Sequence, residues 1–382
     1  MQDRAFWLAW SQVAGVGSIL IRRLHEHFGT LERAWVASPE ELQTVDGFGF
    51  QTAGAVAIAR RSIDPIPLLQ QHERENPYFW TPADADYPHL LLEMPDPPAV
   101  LYYQGEVNLL ENQGIISAIA IVGTRSPSDY GRRWTRKLSA ALAQAGFLVV
   151  SGLANGIDTE AHDSCLKAGG RTVAVMATGT DIIYPHLNRS LAKRIAQQGL
   201  LLSEYPAQTQ PDRTNFPRRN RIIAGLCRAT LVLEAPQKSG ALITARLANE
   251  YGRDVYVLPG SLDNSRCQGC LELLNQGAQV ILGEDHLLDL LSHLPRFQLQ
   301  PPIGSTQQLS LLDSGVSEAI APAPVLSPDL QQVFQTISLE PIAIDLIVQR
   351  AGLAPGLVLS ALTQLELMGL VSQLPGSRYQ RG

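Results

Sequence analysis

Between Ala118 and Leu258 the chain alternates short, nearly unbroken apolar runs with longer stretches that repeat apolar positions at helical spacing. The apolar runs are Ala118–Val122, Leu148–Ser151, Thr172–Met176, Leu200–Ser203, Thr230–Glu234 and Asp254–Leu258, and their length and branched content predict strands. Tyr130–Ala145, Ile157–Ala168 and Ala241–Tyr251 lie between them and predict amphipathic helices. Strands that are apolar on both faces and separated by helices imply an α/β fold, a doubly wound and mostly parallel sheet covered on both sides. Right-handed crossovers then bring the loops that follow the strands to one edge, the place where such sheets bind ligands.

The flanks follow different patterns. Residues 1–75 predict a bundle of short helices, 76–296 the α/β domain, 297–327 a linker rich in Gln, Pro and Ser, and 328–382 a small helical module. Within that module Leu330–Ile337, Ile342–Arg350 and Pro355–Met368 predict three helices. Leu370–Leu374 with Arg378–Gln380 predicts a wing. A third helix that reads base edges presents Arg, Lys, Asn or Gln, whereas this one offers Gln364 and Glu366 and no basic residue. Protein contact or regulation is therefore favoured there over duplex reading. In the first region Val13–Gly17 and Thr44–Gly49 resemble the turns of helix-hairpin-helix elements, which offer backbone N–H groups to phosphate. The region is acidic and Asp46 lies inside the second turn, so a packing or partner module is an equal reading.

Charge changes this picture more than composition does. The 382 residues are 45% hydrophobic and 17% charged, ordinary values for a globular chain, and the net charge of −6 argues against a polyanionic partner. Its distribution argues the other way. Residues 1–120 carry 7 basic and 15 acidic side chains, residues 121–250 carry 17 and 9, and residues 251–382 carry 6 and 12. A basic block lies between two acidic ones, and local field governs anion capture. No run of 18 apolar residues suggests a membrane span, the N-terminus does not read as a signal peptide, and four cysteines do not make a disulfide framework. A cytoplasmic location is expected.

Candidate chemistry sits in four loops of the basic block. Gly123-Thr124-Arg125 ends one strand, and Ser151-Gly152-Leu153-Ala154-Asn155-Gly156 ends the next. Arg218-Arg219-Asn220-Arg221 stands in a loop before a helix, and Lys238-Ser239-Gly240 leads into another. Small residues admit a phosphate close to the backbone, and helix N-termini supply free N–H groups and a positive dipole end. Any one of these loops is ordinarily a turn or a solvated helix start, and Asp158 reads as a helix-capping carboxylate. Four together at one sheet edge describe a groove for a phosphate-bearing polymer or nucleotide.

The familiar nucleotide and hydrolase signatures are missing. The chain has no G-x-x-x-x-G-K-[ST], no G-x-G-x-x-G after a strand and no G-x-S-x-G. His162 reads as an anchoring residue rather than a base. Cys267-Gln268-Gly269-Cys270 is a single C-x-x-C without a second pair, so neither a metal nor a cofactor is expected.

Taken in order, IVGTR at 121–125, SGLANGIDTEAH at 151–162, TGTDIIYPHLN at 178–188, LLSEYP at 201–206, FPRRNRIIAGL at 216–226, EAPQKSGALITA at 234–245 and GRDVYVLPG at 252–260 resemble the DNA-processing protein A family, DprA or Smf. That resemblance implies a Rossmann-like central domain, flanked by a helical helix-hairpin-helix or SAM-like domain and a winged helix. It also implies a non-enzymatic protein that binds and protects single-stranded DNA, helps load the RecA recombinase in natural transformation, and forms a homodimer through the Rossmann-like domain. Carried onto this sequence, Arg125, Arg218, Asn220, Arg221 and Lys238 become DNA contacts. Gly123, Thr124, Ser151, Gly152, Asn155, Gly156, Ser239 and Gly240 supply close backbone or polar approach, with Tyr184, Tyr205 or Phe216 available to stack on bases. Two rivals remain, a nucleotide-binding sensor and a phosphoribohydrolase-like enzyme. The second uses a loop glutamate, and the corresponding stretch, Pro236–Thr244, has no acidic residue.

Overall fold

The computed structural model describes residues 2–294, 328–337, 342–367, 370–374 and 378–381. The predicted linker, 297–327, lies outside the described residues. Two compact units divide the chain, residues 1–302 and 303–382.

Six helices open the first unit: α1 (Gln2–Ser11), α2 (Ser18–Phe28), α3 (Leu31–Val36), α4 (Pro39–Leu42), α5 (Phe50–Ser62) and α6 (Pro65–Glu75). The predicted glycine turns join α1 to α2 and α4 to α5. The bundle closes on three tryptophans and Phe48. Trp10 packs edge-on against Trp35 at 5.1 Å and donates its indole N–H to the carbonyl oxygen of Leu31 at 3.1 Å. Burial of that many aromatic faces gives the bundle its core, at roughly 25 cal/mol per Å² of apolar surface removed from water. A second cluster, Ala5, Leu8 and Leu69 against Phe79, Val100 and Tyr102, fastens the bundle to the edge of the sheet.

The sheet has nine strands: β1 (Phe79–Trp80), β2 (Leu101–Gly105), β3 (Ala118–Val122), β4 (Leu148–Ser151), β5 (Thr172–Met176), β6 (Leu200–Ser203), β7 (Ala229–Val232), β8 (Asp254–Val257) and β9 (Gln279–Val280). Their order is β1-β2-β6-β5-β4-β3-β7-β8-β9. From β6 to β9 every pairing is parallel, while β1 and β2 form an antiparallel edge. Four predicted strands match residue for residue. The run predicted over Thr230–Glu234 pairs over Ala229–Val232, because Leu233 and Glu234 leave the ladder. Three strands were not anticipated: β1 and β9 are only two residues long, and β2 pairs antiparallel outside the α/β rhythm.

Side chains alternate between two buried faces. Ala118, Ala120 and Val122 face one core, and Ile119 and Ile121 the other. The helices that cover them are α9 (Asp129–Gln144), α10 (Ile157–Lys167), α11 (Arg189–Gln198), α12 (Asn215–Leu226), α13 (Gly240–Glu250), α14 (Gln268–Asn275) and α15 (Glu284–Ser292). Shorter helices, α7 (His89–Leu92) and α8 (Leu109–Asn112), precede β3. This is a Rossmann-like α/β fold.

The second unit is a winged helix. Helices α16 (Pro328–Thr336), α17 (Ile344–Ala351) and α18 (Pro355–Leu367) pack with the antiparallel strands β10 (Ile342–Ala343), β11 (Val371–Leu374) and β12 (Arg378–Arg381). The helix predicted from Ile342 begins two residues later, since Ile342 pairs across the sheet with Tyr379. Leu357, Leu359, Gln364 and Glu366 on α18 are exposed. Among the described residues no single helix is long and apolar enough to cross a membrane.

Candidate functional site

Topology places the site. From β3 the sheet runs to β4, β5 and β6 on one side, and the chain then crosses to β7 on the other. The loops after β3 and β7 diverge there and open a crevice at the carboxyl edge. Together with the start of α12 they enclose a cleft of about 600 Å³. Of the residues singled out from the sequence, Gly123, Thr124, Arg125, Asn220, Ser239 and Gly240 line it. Gly152 and Asn155 line a smaller recess of about 50 Å³ bordered by Arg125, Tyr184 and Phe216.

Backbone hydrogen bonds weld these loops into one frame. Thr124 N–H donates to the carbonyl oxygen of Glu234 at 2.6 Å, tying the β3 loop to the β7 loop. Ile157 N–H donates to Thr124 O at 3.2 Å, bringing the start of α10 against the same turn. Gly156 has φ +86°, and a Cβ there would lie 2.4 Å from Thr124 O, so only glycine fits. Ser151 lies beneath, its hydroxyl donating to Ile121 O at 2.6 Å. Fully buried Glu234 accepts from Ser128 N–H at 2.8 Å and Ser128 O–H at 2.5 Å, locking the start of α9 to the frame.

The arginine cluster of α12 divides three ways. Around the helix residue 219 stands about 100° from 218 and about 160° from 221, so it turns away from the face that those two share. Arg218 is exposed. Arg219 is buried, donates to Gly152 O at 2.6 Å and to Val175 O, and reaches Asn220 Oδ1 from Nε at 3.2 Å. Burial lowers its pKa to about 10, which leaves it cationic at neutral pH. Arg221 points away from the cleft. It pairs with Asp96 at 3.3 Å and with Glu204, and donates to Asp96 O at 2.6 Å, its side chain 12% exposed. Arg221, expected as a DNA contact, stands outside the cleft lining and ties α12 to Asp96 and Glu204.

Asp158 lines the cleft floor and accepts from the N–H groups of Gly152 and Ala154 at 3.1 and 3.3 Å. Burial raises its pKa, against the pull of Arg219. Asn220 Nδ2 donates to Gly240 O at 3.2 Å, so it braces the β7 loop while lining the cleft. Ser239 caps α13 by accepting from Ala241 N–H at 3.3 Å. Lys238, exposed and at φ +60°, and Arg218 stand outside the cleft lining.

Among the lining residues that went unassigned or uncommitted in the sequence are two arginines and two aromatic residues. Arg213, on the loop before α12, lines the cleft. Arg219 was hidden among its neighbours, since sequence does not say which member of an arginine run turns inward. Tyr184 and Phe216 stand 5.6 Å apart, and the Arg125 guanidinium lies 5.5 Å over the Phe216 ring. Tyr205, named with them, does not line the cleft. Among the described residues three arginines and one aspartate thus line the cavity. A second cleft, about 660 Å³, lies between the bundle and the β2–β6 edge, but its lining holds Glu75 and Glu204 and no Lys or Arg. Electrostatics favour the first for an anion.

His162 is buried, with Nδ1 2.7 Å from Thr172 Oγ1, and burial pushes its pKa down to about 3. Among the described residues no group of three or more His, Cys, Asp or Glu is arranged to hold a metal. Cys267 and Cys270 are buried free thiols, the latter pushed up to about 12 by burial.

Residues 78–292 match the family model described as DNA recombination-mediator protein A, and residues 317–377 match the DprA winged helix domain. The chain is 50% identical over 393 residues to Protein Smf of Synechocystis sp., covering 99% of each chain. A crystal structure of DNA processing protein A from Streptococcus pneumoniae is 32% identical, covers 76% of this chain and 98% of its own, and superposes with a TM-score of 0.65. A structure from Helicobacter pylori, described as showing the single-stranded DNA binding mode of DNA processing protein A, is 34% identical with a TM-score of 0.51. It covers 57% of this chain and 97% of its own.

Proposed function

Since the chain belongs to the DNA recombination-mediator protein A family, we propose that its carboxyl-edge cleft binds single-stranded DNA without reading sequence. The observation that carries this reading is the convergence of Arg125, Arg213 and Arg219 with the backbone of the β3 and β7 loops on one cavity, beside the Tyr184–Phe216 ring pair. Guanidinium forks and fixed N–H groups suit phosphate oxygens, and a single strand leaves its bases free to stack on exposed rings. The Helicobacter relative's described binding mode supports the same ligand class.

On this reading the protein works in the cytoplasm, shields a strand taken up in transformation, and helps pass it to RecA. The family's description as a recombination mediator supports that role. It acts as a homodimer joined through the Rossmann-like domain. It is a binding protein rather than an enzyme: Asp158, the one carboxylate lining the cleft among the described residues, is engaged by two backbone N–H groups, and Pro236–Thr244 supplies no acidic residue.

Fluorescence anisotropy of a labelled poly-dT strand tests it, comparing wild type with Arg125→Ala/Arg213→Ala. Binding should weaken at least about tenfold, equally for all sequences, with duplex competing poorly, since each lost charge-assisted contact is worth about 1 kcal/mol or more. Equal binding by the variant would overturn the site. Binding of a mononucleotide as tight as that of the strand would favour a nucleotide sensor instead.

A further inference from the structure

Helix α9 begins where the β3 loop leaves the cleft, and its sequence Asp129-Tyr-Gly-Arg-Arg-Trp-Thr-Arg-Lys137 carries four cations. They fall into two sets. Arg132 and Arg136 both pair with Glu160 of α10, at 3.2 and 2.7 Å. Arg133 and Lys137 turn the other way, are exposed, and make no salt bridge with any described carboxylate. Each lies over an aromatic ring of its own helix instead: Arg133 is 5.9 Å from the Tyr130 ring centroid and Lys137 5.3 Å from that of Trp134.

Tyr130, Arg133, Trp134 and Lys137 occupy positions i, i+3, i+4 and i+7, one stripe about 10 Å long. Arg266 is bonded to the loop that leads from the cleft to that stripe. It is exposed, and its Nε is held by Ser126 O at 3.0 Å, one residue beyond Arg125. Tyr130 is fixed at the head of the stripe by donating to Pro259 O at 3.0 Å. Arg125 on the cleft loop, Arg266 bonded to the residue after it, and Arg133 and Lys137 on the helix that this loop enters, the last two over half-buried rings, have no salt bridge with a described carboxylate.

We infer that this stripe is a second track for the same ligand: a single strand leaving the cleft crosses Ser126 and runs down α9, its phosphates on Arg266, Arg133 and Lys137. The inference rests on the proposed cleft reading and extends it, since the described cleft ends at Arg125. Unpaired cations interleaved with rings are what a single-strand surface requires, and their tethering to rings holds them extended along the path.

Strand length separates the track from the cleft. Wild type, Arg133→Ala/Lys137→Ala and the control Lys193→Ala, an exposed cation on α11, are titrated with poly-dT of about 6 and about 30 nucleotides, lengths below and above a typical site. The double variant should bind the short strand as wild type does and the long one about tenfold more weakly. Its salt slope on the long strand should fall by about 1.4, two phosphate contacts at about 0.7 each. Unchanged long-strand affinity overturns the track. An equal loss at both lengths overturns it too, as the signature of a general field rather than a path. If wild type binds neither length, the cleft reading itself falls, a result the variants are not needed to see.

Discussion

The guanidinium of Arg219 lies directly against the α-carbon of Gly152: Nη1 donates to Gly152 O at 2.6 Å, and a Cβ on Gly152 would sit 2.4 Å from the same nitrogen. Helix α12 and the β4 loop are thus built around one buried cation, which also holds the β5 carbonyl of Val175. Real Cβ contacts do not occur at that distance, so Gly152→Ala must displace the guanidinium or the loop. A loss of about 2–3 kcal/mol in chemical denaturation is expected, the range for disturbing a buried, charged hydrogen-bond network, with single-strand affinity falling in the same variant. Stability within about 0.5 kcal/mol of wild type would show that Arg219 does not frame the cleft.

Arg221 and Arg218 separate stability from binding. Arg221→Ala leaves Asp96 and Glu204 without their shared cation, and should cost about 2–4 kcal/mol of unfolding free energy. Exposed Arg218 has no such partner among the described residues, so Arg218→Ala should leave the denaturation midpoint unchanged. The pair is scored by urea melts run beside binding titrations. Equal midpoints for the two variants would contradict the division of labour on α12.

That division marks what the sequence could and could not reveal. Apolar runs and helical periods were enough to place β3 to β6 to the residue, because strands buried on both faces leave little doubt about register. The loops of the cleft were legible from glycine and hydroxyl content after those strands. Which of three arginines turned inward was not, since Arg218, Arg219 and Arg221 are chemically identical and only the phase of α12 against the sheet tells them apart. Tyr184 came to Phe216 from a distant loop, a meeting no local pattern encodes. The edge strands β1 and β2 were hidden because an antiparallel edge two to five residues long carries almost no periodicity.

The Tyr184–Phe216 pair gives a prediction that charge removal does not. Phe216→Ala takes away the ring beneath Arg125 and one face of the recess. Affinity for poly-dT should fall by about 1–3 kcal/mol, the usual worth of a stacked base, while the salt slope stays that of wild type because no phosphate contact is lost. A shallower slope in this variant would mean that Phe216 acts only by positioning Arg125.

His162 makes the fold acid-sensitive. Its pKa is pushed from 6.5 down to about 3 by burial, with the Arg219 charge adding to the shift, and its Nε2 has no hydrogen-bond partner. The folded protein therefore keeps the imidazole neutral where the unfolded chain protonates it. Below about pH 6.5 the unfolded state binds the extra proton, so stability falls as pH drops, by about 1.4 kcal/mol per unit, until the folded pKa near 3 is reached. Asp158 works in the opposite direction. Burial raises its pKa, so the folded state takes up a proton first, and acidification below that raised value offsets part of the loss. Urea melts between pH 7 and 5 lie largely in the histidine's window. Wild type should lose stability across it, and His162→Leu, which removes the titrating group from a buried site, should flatten the slope. Parallel slopes for the two proteins would place the acid sensitivity elsewhere.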